Sequence, residues 1–222
     1  MKIFIKTTCL LVLLICMISN TNGQNAIGGK IGYNIATFRG DTDDFEDKGF
    51  IFGFQFGGIF EYGINEQFSI QPEVVYIKKG ASNEFLGADG DGQTDFLLNY
   101  IELPILVKYK YGSTDNLNLY LTGGPTIGYL QGGRSETDLF IGGERIEENM
   151  DINFGDEDSF RRFEIGIALG IGANLPLGSG NLFGEARFST GITDLNDNNL
   201  SDSSTNNIGL GLSIGYLYSL GN

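Results

Sequence analysis

The chain has 222 residues, including 34 glycines and 4 prolines, and its 28 acidic and 14 basic residues give a formal charge of −14. This length allows one large domain or two small ones. The acidic surplus excludes nucleic acid as a partner, because such a surface repels the phosphate backbone. The sequence contains no histidine, the usual general base near neutral pH, and a serine beside a carboxylate alone is a poor nucleophile. We therefore expect no enzymatic activity.

The first 23 residues have the pattern of a secretory signal peptide. Lys2 and Lys6 flank the start, an apolar run covers Cys9–Ile18, and small residues precede an expected cleavage after Gly23. The apolar run is shorter than the roughly 20 residues that a membrane-spanning helix needs. Both cysteines lie in this segment, so the predicted mature domain, residues 24–222, contains no disulfide. Loss of two lysines leaves this domain with 12 basic and 28 acidic residues, a formal charge of −16.

Eight segments of the mature domain alternate apolar residues with small or polar ones. This period of two is typical of β-strands, and no segment has the 3.6-residue period of an amphipathic helix. We predict strands over Ile27–Ile35, Phe50–Tyr62, Phe68–Lys78, Leu97–Tyr111, Leu117–Tyr129, Phe163–Leu175, Asn181–Ile192 and Ile208–Leu220. Three prolines interrupt these strands and predict β-bulges, at Pro72, Pro104 and Pro125.

The connections between these strands alternate in length. The short ones are Gly63–Glu66, Gly112–Asn116 and Pro176–Gly180, and the long ones are Thr37–Gly49, Gly80–Phe96, Gln131–Ser159 and Thr193–Asn206. The long connections contain 21 of the 28 acidic residues. Short periplasmic turns and long outer loops are typical of an antiparallel up-and-down outer membrane barrel, so the outer membrane is the predicted location.

The second predicted strand carries a column of aromatic residues on one face, at Phe50, Phe52, Phe54, Phe56, Phe60 and Tyr62. We expect this column to face lipid, because a closed barrel pairs all of its backbone groups internally. A soluble, lipocalin-like barrel is the alternative, and its outer faces would carry more charge. Several tyrosines near strand ends match the aromatic girdles of membrane barrels, namely Tyr33, Tyr62, Tyr76, Tyr109, Tyr111, Tyr129, Tyr216 and Tyr218.

The opposite faces of the strands carry small residues and charges of both signs. Strand parity points these charges inward: Lys30, Glu61, Glu73, Glu102, Lys108, Arg162, Glu164, Glu185 and Arg187. Eight strands leave an interior just wide enough for side chains, and buried charges are usually paired. We therefore expect a charge network that closes the lumen, which disfavours a pore. A proton or ion path through Glu102 and Lys108 is the alternative.

The segment ADGDGQTD resembles a calcium-binding loop, with Asp89, Asp91 and Asp95 as candidate metal ligands. Calcium takes several oxygen ligands, and an acidic turn rich in glycine can wrap around the ion. A flexible acidic turn without metal explains the same residues, since Gly and Asp favour turns, and we favour that interpretation. No cofactor is expected.

Several blocks resemble the PorT-like outer membrane beta-barrel family of Bacteroidota over nearly the whole mature domain. They read QPEVVYIKKG, NYIELPILVKYKYG, GGPTIGYL, FEIGIALGIGANLPL, RFSTGITDL and NIGLGLSIGYLY, and YIELP followed by ILVKY is the most specific. The resemblance implies an eight-stranded outer membrane barrel, and the family's named member is linked to type IX protein secretion.

Two functional hypotheses follow for this barrel. The first is a structural or accessory envelope protein, expected as a monomer, whose partners are outer membrane lipids, the barrel assembly machinery and an envelope or secretion protein. The second is a surface binding module whose acidic loops hold a cation, a glycan or a protein.

Overall fold

The computed structural model describes residues 24–40, 48–87, 90–112, 117–142, 144–152, 161–195 and 205–221. The predicted signal peptide lies outside these residues. Ten strands are present among them: β1 Ala26–Gly40, β2 Lys48–Gly49, β3 Ile51–Gly63, β4 Phe68–Gly87, β5 Gly90–Tyr111, β6 Asn118–Ile141, β7 Glu144–Asp151, β8 Phe163–Leu177, β9 Gly180–Gly191 and β10 Thr205–Ser219. None of the described segments is a helix long and apolar enough to cross a membrane.

Eight of these strands close into a ring. Each pairs in antiparallel register with its neighbours, in the order β1, β3, β4, β5, β6, β8, β9 and β10, and β10 pairs back onto β1. The short strands β2 and β7 stand outside the ring and pair with β4 and β6. The predicted eight-stranded up-and-down barrel is therefore confirmed.

The outer face of the ring is apolar and the inner face is polar or small. On β3, Phe52 is 73% exposed and Phe54 is 46% exposed, whereas Ile59 and Glu61 between the outward positions are 3% exposed. On β1, Ile27, Ile31 and Tyr33 point outward in the same way. The aromatic column therefore lies on the outer face, where a membrane barrel contacts lipid.

Three strands are much longer than the sequence pattern predicts. β4, β5 and β6 have 20, 22 and 24 residues, about twice the roughly 9–11 that cross a bilayer. The predicted loops Gly80–Phe96 and Gln131–Ser159 are wrong where these strands and β7 continue through them. β4 continues from the ring into the predicted loop at Gly80. This residue has a φ of +137°, and a Cβ there would collide with the Phe96 carbonyl oxygen. Polar residues on both faces obscured the strand signal here.

The predicted bulges at the three prolines are also wrong. Pairing keeps one register past Pro72 and Pro104, although pairs are missing beside them, and Pro125 pairs with Ile167 within an unbroken ladder. A proline therefore removes ladder bonds here without an inserted residue. The register shift lies instead between Asn99 and Tyr100, opposite Gln131 of β6.

Depth along the outer face gives the first prediction. Phe56 pairs with Ile31, midway along the apolar face of β1, whereas Phe50 lies just before β3 at the long-strand end. Phe56→Arg is expected to reduce folding into bilayers by about 2–4 kcal/mol, because its charge sits near the midplane. Phe50→Arg, the matched control near the interface, should cost about 0–1 kcal/mol. Folded fractions from heat-modifiable gel migration measure both, and equal losses would contradict this assignment of depth.

Candidate functional site: the charged interior and the protruding sheet

Most of the predicted inward charges lie inside the barrel. Period-two alternation in each ring strand carries them to the inner face, and seven are at most 6% exposed: Lys30, Glu61, Glu73, Glu102, Lys108, Glu164 and Glu185. The Arg187 side chain is 12% exposed. Their contacts divide them into three layers along the barrel axis, which we name the short-turn, middle and loop-end layers.

The short-turn layer is centred on Glu61 of β3. Lys108 donates a hydrogen bond of 3.0 Å to one carboxylate oxygen, while Lys110 contacts the other at 2.5 Å and Ser69 donates to it at 3.1 Å. The Lys108 ammonium also lies 4.1 Å from the centre of the Tyr120 ring, a cation–π distance. Two cations thus share one carboxylate.

The middle layer is centred on Glu73 of β4. Arg187 donates two hydrogen bonds to its carboxylate, at 2.8 and 2.7 Å, in the bidentate geometry that a guanidinium favours. Lys30 donates at 2.5 Å and Gln71 at 2.6 Å. Arg187 also lies 2.6 Å from a Glu185 oxygen. This layer contains two cations and two carboxylates, and is formally neutral.

The loop-end layer contains Lys79, which sequence reasoning missed. Its ammonium lies 2.5 Å from Glu102 and 3.2 Å from Glu164, and Asn207 donates to Glu164 at 2.9 Å. The ring centre of Tyr100 is 5.1 Å away. The signal was present: Lys79 shares the parity of Ser69, Gln71 and Glu73, but the predicted strand ended one residue earlier, at Lys78.

Arg162 does not belong to these layers, and its predicted inward position is wrong. Its side chain is exposed and donates a hydrogen bond of 3.1 Å to the Tyr129 hydroxyl. Parity fails here because Arg162 stands in a bend before β8 begins at Phe163. Alternation specifies a face only within the strand itself.

An apolar cluster lies beside the loop-end layer and contributes to the same closure. Its buried members are Phe38, Val75, Ile77, Ala81, Leu98, Tyr100, Leu130 and Leu195. Leu195 comes from the connection after β9 and is fully buried, with its backbone amide bonded to the Thr205 carbonyl at 2.8 Å. The strand ends and this connection therefore cover the charged interior with apolar side chains.

Little free volume remains inside the barrel. A cavity between the middle and loop-end layers measures about 20 Å³, and Lys30, Gln55, Glu102 and Arg187 are among its lining residues. That volume suits about one water molecule. The five cations and five carboxylates of the three layers balance in charge, as a poorly solvated interior requires.

The strands continue beyond the ring as a second feature, which we name the protruding sheet. It consists of β7 and the outer ends of β4, β5 and β6, residues 80–87, 90–99 and 130–141. Cross-strand pairing places seven acidic residues on one face, which we name the acidic face: Glu84, Asp91, Asp95, Glu136, Asp138, Glu147 and Asp151. Arg134 and Arg145 lie on this same face and pair with some of these acids.

The candidate calcium ligands lie in this sheet, in an arrangement that differs from a calcium loop. Asp89 is outside the described residues, and Asp91 and Asp95 are both in β5. Four residues of extended strand separate their Cα atoms by about 13 Å, so the two carboxylates are too far apart to share one ion, as the candidate calcium loop would require. Within the described part of the chain, no group of three or more acidic residues is arranged to hold a metal.

Comparison with known proteins places this architecture among outer membrane barrels. The family model described as "Outer membrane protein beta-barrel domain" matches residues 20–197. No curated protein matches the chain at a significant level.

Three solved structures illustrate the similarity of the fold. Ail of Yersinia pestis is 14% identical, with 89% of this chain and 100% of that chain covered and a TM-score of 0.40. Neisserial surface protein A is 14% identical, with coverages of 87% and 97% and a TM-score of 0.45. OprG of Pseudomonas aeruginosa is 12% identical, with coverages of 90% and 97% and a TM-score of 0.48. These low values carry no information on what this chain binds.

The layers differ in how well they tolerate loss of a cation, which gives the second prediction. Lys79→Met leaves Glu102 and Glu164 facing each other without a lysine and should destabilise the barrel by about 3–5 kcal/mol. Lys108→Met should cost less, because Lys110 still pairs with Glu61. Arg145→Met, an exposed control with two ion pairs, should change little. The temperature at which gel mobility changes ranks the heat stability of the three variants. A lower transition temperature for Lys108→Met than for Lys79→Met would contradict the description of the layers.

Proposed function

Because the chain belongs to the outer membrane protein beta-barrel domain family, we propose that it is a closed outer membrane anchor that presents the protruding sheet to a partner at the cell surface. The observation that carries this proposal is the continuation of β4, β5 and β6 beyond a filled barrel. A barrel needs only its membrane-spanning residues to remain in the bilayer. The additional strand length therefore serves something outside the membrane.

The interior supports an anchor better than a transport path. A solute crossing the barrel would have to separate Lys30 and Arg187 from Glu73, and Lys79 from Glu102. Each separation would leave a charge without a partner in a poorly solvated space, which costs several kcal/mol per ion. The apolar cluster around Leu98 and Leu130 would have to open as well.

The protruding sheet supports a binding role. Backbone pairing among β5, β6 and β7 holds the acidic side chains of this sheet in fixed rows, whereas a flexible loop would leave them free to move. Acidic residues outnumber Arg134 and Arg145 on this face, and such a surplus of one charge favours an oppositely charged partner and speeds its association. Since β4, β5 and β6 are also strands of the barrel wall, the sheet is held at a fixed position above the membrane. We propose no catalysis.

A role beside envelope machinery is the second candidate. The blocks that resemble the PorT-like family, above all YIELP followed by ILVKY, favour an accessory barrel linked to secretion. On this proposal the partner is an envelope or secretion protein, the barrel assembly machinery inserts the chain, and the barrel itself is a monomer in outer membrane lipid. Both candidates use the same sheet and differ in the partner's identity.

The filled interior gives the third prediction. Purified wild-type barrel in planar bilayers should give no large, steady single-channel currents, because its charged layers leave room for little more than a water molecule. A porin in the same bilayers serves as the positive control. Steady conductance in most insertions would contradict the anchor and make transport the better proposal.

The fourth prediction concerns the hairpin that the outer end of β6 forms with β7. The Ile152 amide donates a hydrogen bond of 3.0 Å to the Gly133 carbonyl across it, so a two-residue Asn-Gly turn can replace residues 134–151 and join these two residues. The shortened barrel should keep its heat stability. On intact cells, a photo-crosslinker at position 147 should form a discrete heteromeric product, whereas one at the outward-facing Leu121 should not. Partner capture only at position 121, or none at either, would count against the proposed function.

A further inference from the structure

β7 is an edge strand on the protruding sheet. Within the described residues it pairs with β6 alone, and all eight of its residues are exposed. An exposed edge presents backbone donors and acceptors that can pair with another chain. We propose that β7 receives an extended, cationic segment of a partner protein by β-strand addition. This inference rests on the proposed function and specifies the chemistry of the partner.

The ladder with β6 identifies which backbone groups are available. The Ile152 amide donates a hydrogen bond of 3.0 Å to the Gly133 carbonyl. In an antiparallel ladder, residues alternate between facing the paired strand and facing away. Counting back from Ile152, the even residues of β7 therefore face β6. The odd ones direct their N–H and C=O groups to the open edge: Arg145, Glu147, Asn149 and Asp151.

The charge along β7 selects the partner. Its sequence is ERIEENMD, with four acidic residues and one arginine. Like charges directly opposite each other destabilise a strand pair, so a second copy of β7 fits poorly. Lysine or arginine at alternate positions of an incoming strand would instead meet the row that contains Glu147 and Asp151.

The other face of β7 adds a second element of recognition. Ile146 and Met150 are 48% and 60% exposed, and both lie opposite the acidic face. An incoming strand would cover them with apolar or β-branched side chains, since side chains of a strand alternate between faces. The preferred segment therefore alternates basic with apolar residues.

The experiment uses the full mature chain in lipid nanodiscs and a defined probe, a capped octapeptide that alternates lysine and valine. Binding is measured by fluorescence anisotropy, and amide hydrogen exchange is followed in the fragment that contains β7. Bound peptide should slow exchange in this fragment. Asn149→Pro removes an open-edge donor while every β6-facing amide remains, and should weaken the peptide's Kd by about tenfold.

Two controls separate strand pairing from simple charge attraction. Asn149→Ala keeps the backbone N–H and should bind as the wild type does. A peptide of the same sequence with alternate N-methylated residues should bind more weakly, because its pairing edge is blocked. Glu147→Gln combined with Asp151→Asn should weaken binding and flatten its salt dependence.

Several results would overturn the proposal. Equal affinity for Asn149→Pro and Asn149→Ala would mean that the peptide adheres to charge alone, and dimerisation through β7 would mean that the edge pairs with a second copy. A photo-crosslinker at Asp95, which lies beside Glu136 on the acidic face and is kept in both variants, separates the two proposals. If its surface product survives Asn149→Pro but is lost in the shortened-hairpin barrel, the proposed function stands and strand addition fails. Unchanged gel mobility of Asn149→Pro verifies that the barrel is folded.

Discussion

A ring of eight strands encloses space for side chains and little else, and this narrowness determines how the charged residues of the barrel are arranged. A lysine on the inner face has almost no water around it, so its charge must be met by a carboxylate from another strand. Glu73 illustrates the result: it joins β4 to β1 through Lys30 and to β9 through Arg187. Such contacts across the lumen tie together strands that share no backbone hydrogen bonds, and they fill the space that a solute would need.

The same strands serve two environments in succession. Within the ring, outward residues are apolar, as at Ile31 and Phe54. Beyond it, the outward rows of β5 and β6 become acidic, as at Asp95 and Glu136. The continuous backbone ladder lets one element carry out both tasks, because hydrogen bonding between strands does not depend on what surrounds the sheet. The barrel thus supplies a rigid base, and recognition depends on side chains and a strand edge outside the membrane.

Period-two alternation predicted the barrel and most inward charges, because burial against a narrow lumen imposes one rule on every ring strand. It failed where that rule ends. Lys79 was missed because a strand boundary was placed at Lys78, and Arg162 was misplaced because a bend precedes its strand. The protruding sheet was mistaken for loops, since neither of its faces contacts lipid and both include polar residues. Which carboxylate meets which cation depends on strand stagger, and a sequence does not display stagger.

The central claim is that the interior is closed by paired charges, and cysteine accessibility tests it most directly. The mature domain contains no cysteine, so a single introduced cysteine is the one thiol in it that can be labelled. Ser213 faces inward on β10 and is 8% exposed, whereas Asn149 is exposed on β7. A small, charged, water-soluble thiol reagent should label Asn149→Cys rapidly and leave Ser213→Cys essentially unlabelled over the same time in the folded barrel, with full labelling of both after unfolding. Comparable labelling rates in the folded state would mean that the lumen is open to water, and would contradict the closed anchor.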